Sequence, residues 1–209
     1  MNAEVDADIA SVEQVLEFWF ADAGAGREAM ERRQRVWFGG GAEFDSSCRQ
    51  RFSATLAAAT EGALDHWQAS ARGSLALIVI LDQLSRNIHR GTAEAFRQDG
   101  RALAICKEGI DSGRDLELSP MERVFFYMPL QHAEDRSIQA LSVRQFETLA
   151  AEAPEELREL LEGNAAYARQ HRDIIERFGR FPHRNTVLGR ESTADEQAYL
   201  ADDAPRFGQ

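Results

Sequence analysis

Apolar residues recur along this chain at intervals of three, four and seven positions, which is the spacing of a buried stripe on an α-helix. Short breaks containing Gly, Pro, Ser or Thr separate one stripe from the next. No segment shows the sustained alternation of apolar and polar residues that is typical of a half-buried strand. The pattern therefore predicts an all-α fold of stacked antiparallel helical hairpins.

Helix boundaries are predicted where a capping residue or a Gly or Pro break meets an apolar stripe. The predicted helices are 12–20, about 27–36, a third ending near Gly62, 75–88, one between Thr92 and Gly113, one from Ser119 to Pro129, one after Asp135 through Leu149, 154–178 and 193–200. We expect a single all-α domain over residues 1–209, with residues 1–10 and 202–209 as loose tails.

The most apolar helix carries two charges on its buried side. Residues 75–81 are apolar on all faces, which indicates a central buried helix. The stripe formed by Leu75 and Val79 continues into Asp82 and Arg86, four positions apart. Such a pair is explained either as an internal salt bridge or as part of a functional site, because buried charges need partners.

Arginine and histidine are concentrated between positions 171 and 190. This stretch holds five Arg and two of the five His but only two acidic residues, in a chain of net charge −11. Its first part continues a helical stripe on which His171 faces inward, and Gly179 suits the left-handed position after a helix end. Pro182 prevents the helix from continuing, so residues 180–185 are predicted to form a polar loop.

The overall composition limits the kinds of partner. A net charge of −11 argues against binding of nucleic acid or of an anionic membrane by the bulk surface. Cys48 and Cys106 match no metal spacing and are predicted to be small buried thiols in a reducing compartment. The first residues lack the basic start and apolar run of a signal peptide, so we expect a cytoplasmic protein.

Three long stretches resemble a bacterial family labelled domain of unknown function 924. They are 75–95 (LALIVILDQLSRNIHRGTAEA), 122–135 (ERVFFYMPLQHAED) and 171–189 followed by Ser192-Thr193, and the segment 15–20 (VLEFWF) also fits. Ser85 and Gln131 depart from the family's usual residues. The resemblance implies a fold similar to tetratricopeptide-repeat superhelices, and it implies no established activity.

The three stretches coincide with the polar clusters, which leaves three hypotheses open. The clusters form a site for a small anionic molecule, with catalysis undecided; or the helical stack is a scaffold that binds an acidic peptide or protein in a groove; or the side chains form one buried network that fixes the fold. The candidate residues of the polar pocket are Asp82, Arg86, Asn87, His132, Glu134, Asp135, His171, Arg177, Arg180, His183, Arg184 and Asn185. Of these, Asp82, Arg86, His132, Glu134, His171 and the loop 180–185 are predicted to meet in space.

Metal binding is the remaining alternative for this set. His132, Glu134 and Asp135 carry ligand atoms, but neighbouring residues on one loop seldom make a full ligand set. Neither cysteine has a partner at ligand spacing. We therefore expect no bound metal and no cofactor, and the sequence assigns neither a catalytic residue nor an oligomeric state.

Overall fold

The structure is a computed structural model that describes residues 9–22, 27–39 and 41–202, and all regular elements in these ranges are helical. The all-α prediction is confirmed, whereas the superhelical arrangement stays a prediction. The predicted tails fall largely on residues 1–8 and 203–209, which lie outside the described residues. The α-helices are α1 Val12–Phe20, α2 Arg27–Gly39, α3 Gly41–Thr60, α4 Ala71–Ile78, α5 Ser85–Ile88, α6 Asp99–Asp111, α7 Pro120–His132, α8 Arg136–Ala151, α9 Glu155–Phe178 and α10 Ala194–Ala201.

Side-chain caps fix several helix ends as the sequence predicts. Ser11, Ser119 and Thr193 each form a reciprocal capping box with the residue three positions later. At the other end of α9, Gly179 has φ 72°, the left-handed geometry that glycine adopts without steric strain. These caps set where the loops begin, and hence where the loop after α9 leaves the helix.

The central helix runs continuously from α4 through residues 79–84 to α5, and it is longer than predicted. It begins at Ala71, because the Ser70 hydroxyl accepts a hydrogen bond from the Gly73 N–H and caps the first turn. The expectation that Gly73 precedes the helix is therefore wrong. Gly73 lies where a Cβ would come 2.0 Å from the Trp67 carbonyl oxygen, so the preceding 3₁₀ turn, Asp65–Ala69, packs directly on the helix backbone.

Substituting two helical glycines by alanine should give opposite results. Gly73→Ala is expected to lower the free energy of unfolding by about 1–3 kcal/mol, because the new methyl group would overlap the backbone of Trp67. Gly163→Ala is the matched control: no atom lies within 4 Å of its Cβ position, and alanine is the better helix former by about 1 kcal/mol. Urea unfolding curves measure the free energy of unfolding of each variant. The same change in both variants would contradict the prediction.

Two other predicted helix ends are corrected. Pro129 lies inside α7, which continues to His132. A proline removes only its own N–H from the helical ladder, so a kinked helix can persist when its side chains are buried, as those of Phe125 to Gln131 are. The predicted helix from Thr92 to Gly113 is instead a 3₁₀ turn, Ala93–Phe96, followed by α6.

The packing brings the ends of three helices together. α8 packs against both α7 and α9, while α3, α6 and α7 pack around the central helix. Residues 75–81 of that helix are completely buried, as predicted. The second half of the central helix, the last turn of α7 and the loop after α9 therefore become neighbours, and they carry most of the candidate residues.

Candidate functional site

A π-helical segment, Val79–Leu84, joins α4 to α5 and carries Asp82. Such segments are rare, they add one residue to a helical turn, and they are frequent at functional sites. Asp82 is completely buried, so its carboxylate must find all its partners inside the protein.

Three side chains contact the Asp82 carboxylate. His132 Nδ1 lies 2.7 Å from Oδ1, and Arg86 Nη1 lies 3.1 Å from the same oxygen. Gln83 donates a hydrogen bond of 2.5 Å from Nε2 to Oδ2. Burial alone would raise the pKa of Asp82, but the Arg86 charge and the contact with His132 outweigh burial and lower it, so the carboxylate is ionised.

Asp99, at the start of α6, is the second anion of this cluster. Arg86 holds it with two parallel bonds, Nη1 to Oδ1 and Nη2 to Oδ2, each 2.9 Å. Burial alone would lower the pKa of Arg86, but Asp82 and Asp99 together raise it. The salt-bridge explanation for Asp82 and Arg86 therefore holds, with Asp99 as a partner that the sequence did not suggest.

Arg184, in the 3₁₀ turn Pro182–Arg184, reaches the same cluster from the loop after α9. Its guanidinium lies between the rings of Phe96 and Phe181, with Cζ 4.8 Å and 4.5 Å from their centroids. Nη1 donates to the His132 carbonyl oxygen at 3.1 Å and contacts Asp99 Oδ2 at 3.5 Å. Burial, together with the charge of Arg86, lowers the pKa of Arg184 to about 10.

The remaining nitrogens of Arg184 have no protein partner in the described ranges. Nε is buried without a hydrogen bond. Nη2 also makes no hydrogen bond to a described residue. Unlike Nε, it is not completely buried. The side chain as a whole is only 7% exposed. Arg184 is therefore a nearly buried cation with incomplete pairing, which is energetically unfavourable.

Three histidines surround this cation. The rings of His132 and His171 lie 6.4 Å apart, and the Phe181 ring is 5.6 Å from both His171 and His183. Burial is the main cause that lowers the pKa of all three, to about 3 for His171 and His183, and Arg184 lowers those two further. The three imidazoles are accordingly neutral near pH 7.

Two flanking ion pairs hold the loop in place. Glu134 accepts two bonds from Arg190, at 2.6 and 3.0 Å, and one from the Phe181 N–H at 2.8 Å. Arg180 binds both oxygens of the buried Glu196 on α10, and Asn185 bonds to the same carboxylate at 3.2 Å. The hydrogen bonds from Arg180 help to lower the pKa of Glu196 to about 2. Glu134, Arg180 and Asn185 thus hold the loop, although Asn185 Oδ1 is buried without a hydrogen-bond partner in the described structure.

Three candidate residues do not join the cluster. Asn87 bonds to Asp45 at 2.8 Å, in a separate group with Arg90. Asp135 caps α8 by accepting from the Ile138 N–H at 3.0 Å. Arg177 stacks on its neighbour Phe178 and on Tyr199 of α10. These three candidates lie outside the set that was predicted to meet, and each finds a partner near its own helix end.

Several contributors were missed by the sequence reasoning. Asp99 and Glu196 lie in the first turns of α6 and α10, where an acidic residue is already explained by the helix dipole. The rings of Phe96 and Phe181 both face Arg184, and nothing in their sequence positions indicates this contact. Five Arg near a helix end were a usable signal that buried acids from elsewhere must pair with them.

Other features of the surface add little. An open depression of about 400 Å³ is lined by residues 134–137 with Ile175 and Gly179. Within the described ranges, no group of three or more His, Cys, Asp or Glu side chains is arranged to hold a metal ion. The expected lack of a metal stays a prediction. No helix in the described part of the chain is long and apolar enough to cross a membrane.

Fold and site together define an all-helical protein with a buried Asp–Arg–His cluster built around a π-helical turn. The chain belongs to a family described as bacterial protein of unknown function (DUF924), whose profile matches residues 15–204. A solved structure of a protein of unknown function from Agrobacterium tumefaciens is 38% identical, covers 90% of this chain and 96% of its own, and superimposes with a TM-score of 0.75. No curated protein matches significantly. The resemblance seen in the sequence is confirmed.

Proposed function

We propose that this protein binds a small anionic molecule at Arg184. The observation that supports this proposal is that Nε and Nη2 of the Arg184 guanidinium make no hydrogen bond to a described residue. Its single carboxylate contact in the described structure, Asp99 Oδ2 at 3.5 Å, already accepts a 2.9 Å bond from Arg86. An anion at Nη2 would accept the hydrogen bonds that this nitrogen does not make to the described residues, in a site of low polarity where such contacts are strong.

The neighbouring groups support this proposal. The two negative charges of Asp82 and Asp99 are matched by the two positive charges of Arg86 and Arg184, so the cluster carries no net negative charge that would repel a ligand. The histidines near Arg184 are neutral and add hydrogen-bonding atoms without adding charge. The buried network of Asp82, Arg86 and Asp99 then serves as the support, and Arg184 with His132 forms the contact surface.

Thermal-shift measurements with inorganic phosphate, malonate and malate at constant ionic strength test the proposal. A ligand at a hundredfold excess over its Kd stabilises the folded state by about 2.7 kcal/mol, which is roughly 5–10 °C in Tm for a chain of this size. We expect at least one of these anions to produce such a shift, and Arg184→Gln to abolish it.

Arg172→Gln is the matched control. It removes the same charge from the exposed face of α9, where Arg172 pairs with its neighbour Asp173. This variant should keep the full anion-induced shift. The proposal is overturned if no anion in the set stabilises the wild type, or if Arg184→Gln responds as strongly as Arg172→Gln.

A further inference from the structure

The contact between Asp82 and His132 fixes which histidine nitrogen carries a proton. A carboxylate can only accept hydrogen bonds, so the 2.7 Å contact with Oδ1 requires a hydrogen on His132 Nδ1. Asp82 is in turn held by Gln83 and Arg86, and its side chain is completely buried. A carboxylate held in this way orients the ring and selects the tautomer, as it does for histidines in many sites.

The second nitrogen of His132 is then a hydrogen-bond acceptor. In a neutral imidazole with a proton on Nδ1, Nε2 has a lone pair and no hydrogen. Nε2 has no partner among the residues that the structure describes, and it is absent from the buried unpaired atoms. The ring is 16% exposed, so this acceptor is open to a ligand.

The acceptor belongs to the residue that Arg184 binds. Arg184 Nη1 donates to the backbone oxygen of His132 at 3.1 Å, which ties the two residues together. A ligand that bridges the two side chains would meet a cationic donor, Arg184 Nη2, and a neutral acceptor, His132 Nε2. An anion with only acceptor atoms would place its lone pairs against that of Nε2, which is repulsive.

We infer that the site selects small anions that also carry a hydroxyl group, with the anionic oxygens on Arg184 and the O–H donated to His132 Nε2. Hydroxycarboxylates are the ligand class that combines these two features most simply. In this arrangement His132 determines specificity, and Asp82 is a positioning residue that acts through His132. The inference rests on the proposed anion site at Arg184.

Paired ligands measure the contribution of the hydroxyl group. Isothermal titration calorimetry on the full chain compares malate with succinate and lactate with propionate, because each pair differs only by one hydroxyl. We expect the hydroxy acid of each pair to bind about tenfold more tightly, the upper range for one hydrogen bond. In His132→Gln the difference should disappear, whereas in His66→Gln, which changes an exposed histidine of a distant turn, it should remain.

Nitrogen NMR of the histidine side chains supplies a readout that a purely structural role would not change. The His132 signals, identified by their loss in His132→Gln, should show a hydrogen on Nδ1, and malate but not succinate should shift the Nε2 resonance. Asp82→Asn, which removes the carboxylate but keeps the shape, should mix the tautomers and reduce the malate preference.

These experiments distinguish a failure of the hydroxyl inference from a failure of the proposed anion site. Equal or tighter binding of succinate and propionate, with Arg184 still required, overturns the hydroxyl inference and leaves the anion site intact. Absence of binding by every anion overturns the proposed function and the inference together.

Discussion

Asp82→Ala is expected to lower the free energy of unfolding by about 3–5 kcal/mol, the effect of breaking a buried ion pair. Arg86 would keep its bond to Asp99 but lose the other carboxylate, and the Nδ1–H of His132 would lose its acceptor. Both groups are buried or nearly so, and the Arg86 charge would then be left with one carboxylate partner in place of two. Urea unfolding followed by circular dichroism measures the loss.

The control for this variant is Asp173→Ala. Asp173 is an exposed carboxylate of α9 whose partner is the adjacent Arg172, so its removal should change stability by no more than about 0.5 kcal/mol. Adding Arg86→Met to Asp82→Ala should cost less than the sum of the two single changes, because the pair is coupled. A loss below about 1 kcal/mol in Asp82→Ala would show that this carboxylate is not essential to the network.

Phe181→Ala is expected to have a comparable effect, a loss of about 3–5 kcal/mol, as found for buried phenylalanines. The ring is completely buried, packs with Ile174 and Ile175 of α9, and covers one face of Arg184. Without it, the loop after Gly179 loses its apolar anchor. Hydrogen exchange should therefore accelerate at the amides of Arg184 and Asn185, which bond to carbonyls within the loop.

Phe181→Leu tests whether the loop needs only a buried apolar side chain at this position or specifically an aromatic ring. Leucine keeps most of the apolar volume, so this variant should be destabilised by less than about 1.5 kcal/mol and keep slow exchange in the loop. Fast exchange in Phe181→Leu, or unchanged stability in Phe181→Ala, would show that the ion pairs of Glu134 and Arg180 hold the loop without help from the ring.

The sequence predicts helices well where local chemistry decides them. Capping boxes at Ser11, Ser119 and Thr193 and the glycine after α9 mark true ends. Prediction fails at Pro129 because packing decides there: α7 continues through the proline because its faces are buried. It also fails at Ser70, a local cap that lies before the first apolar residues of the central helix, so the true start at Ala71 was not recognised. The π-helical segment leaves no local signal, since its residues are those of an ordinary buried helix.

The site is predicted in part, for a similar reason. Asp82, Arg86, His132, His171 and Arg184 do meet, as expected of polar groups on buried faces, which must find partners. Which partner each one finds depends on tertiary distances that no spacing encodes. Asp99 is the clearest case, because an acidic residue in a first helical turn needs no further explanation until Arg86 is seen to bind it.

The π-helical turn gives the central helix one place where the number of residues can change without changing the direction of later side chains. Residues are about 100° apart around an α-helix, and the wide turn accommodates one extra residue, so the helix keeps its phase on both sides while Asp82 lies inside the widened turn. Deleting one position between 79 and 84 would restore a regular helix and leave Arg86 facing Asp99, so its effect should fall on the contacts of Asp82. Among relatives of this chain, single-residue gaps should therefore be better tolerated inside this segment than in the regular turns around it, where a gap would rotate every later residue by about 100°.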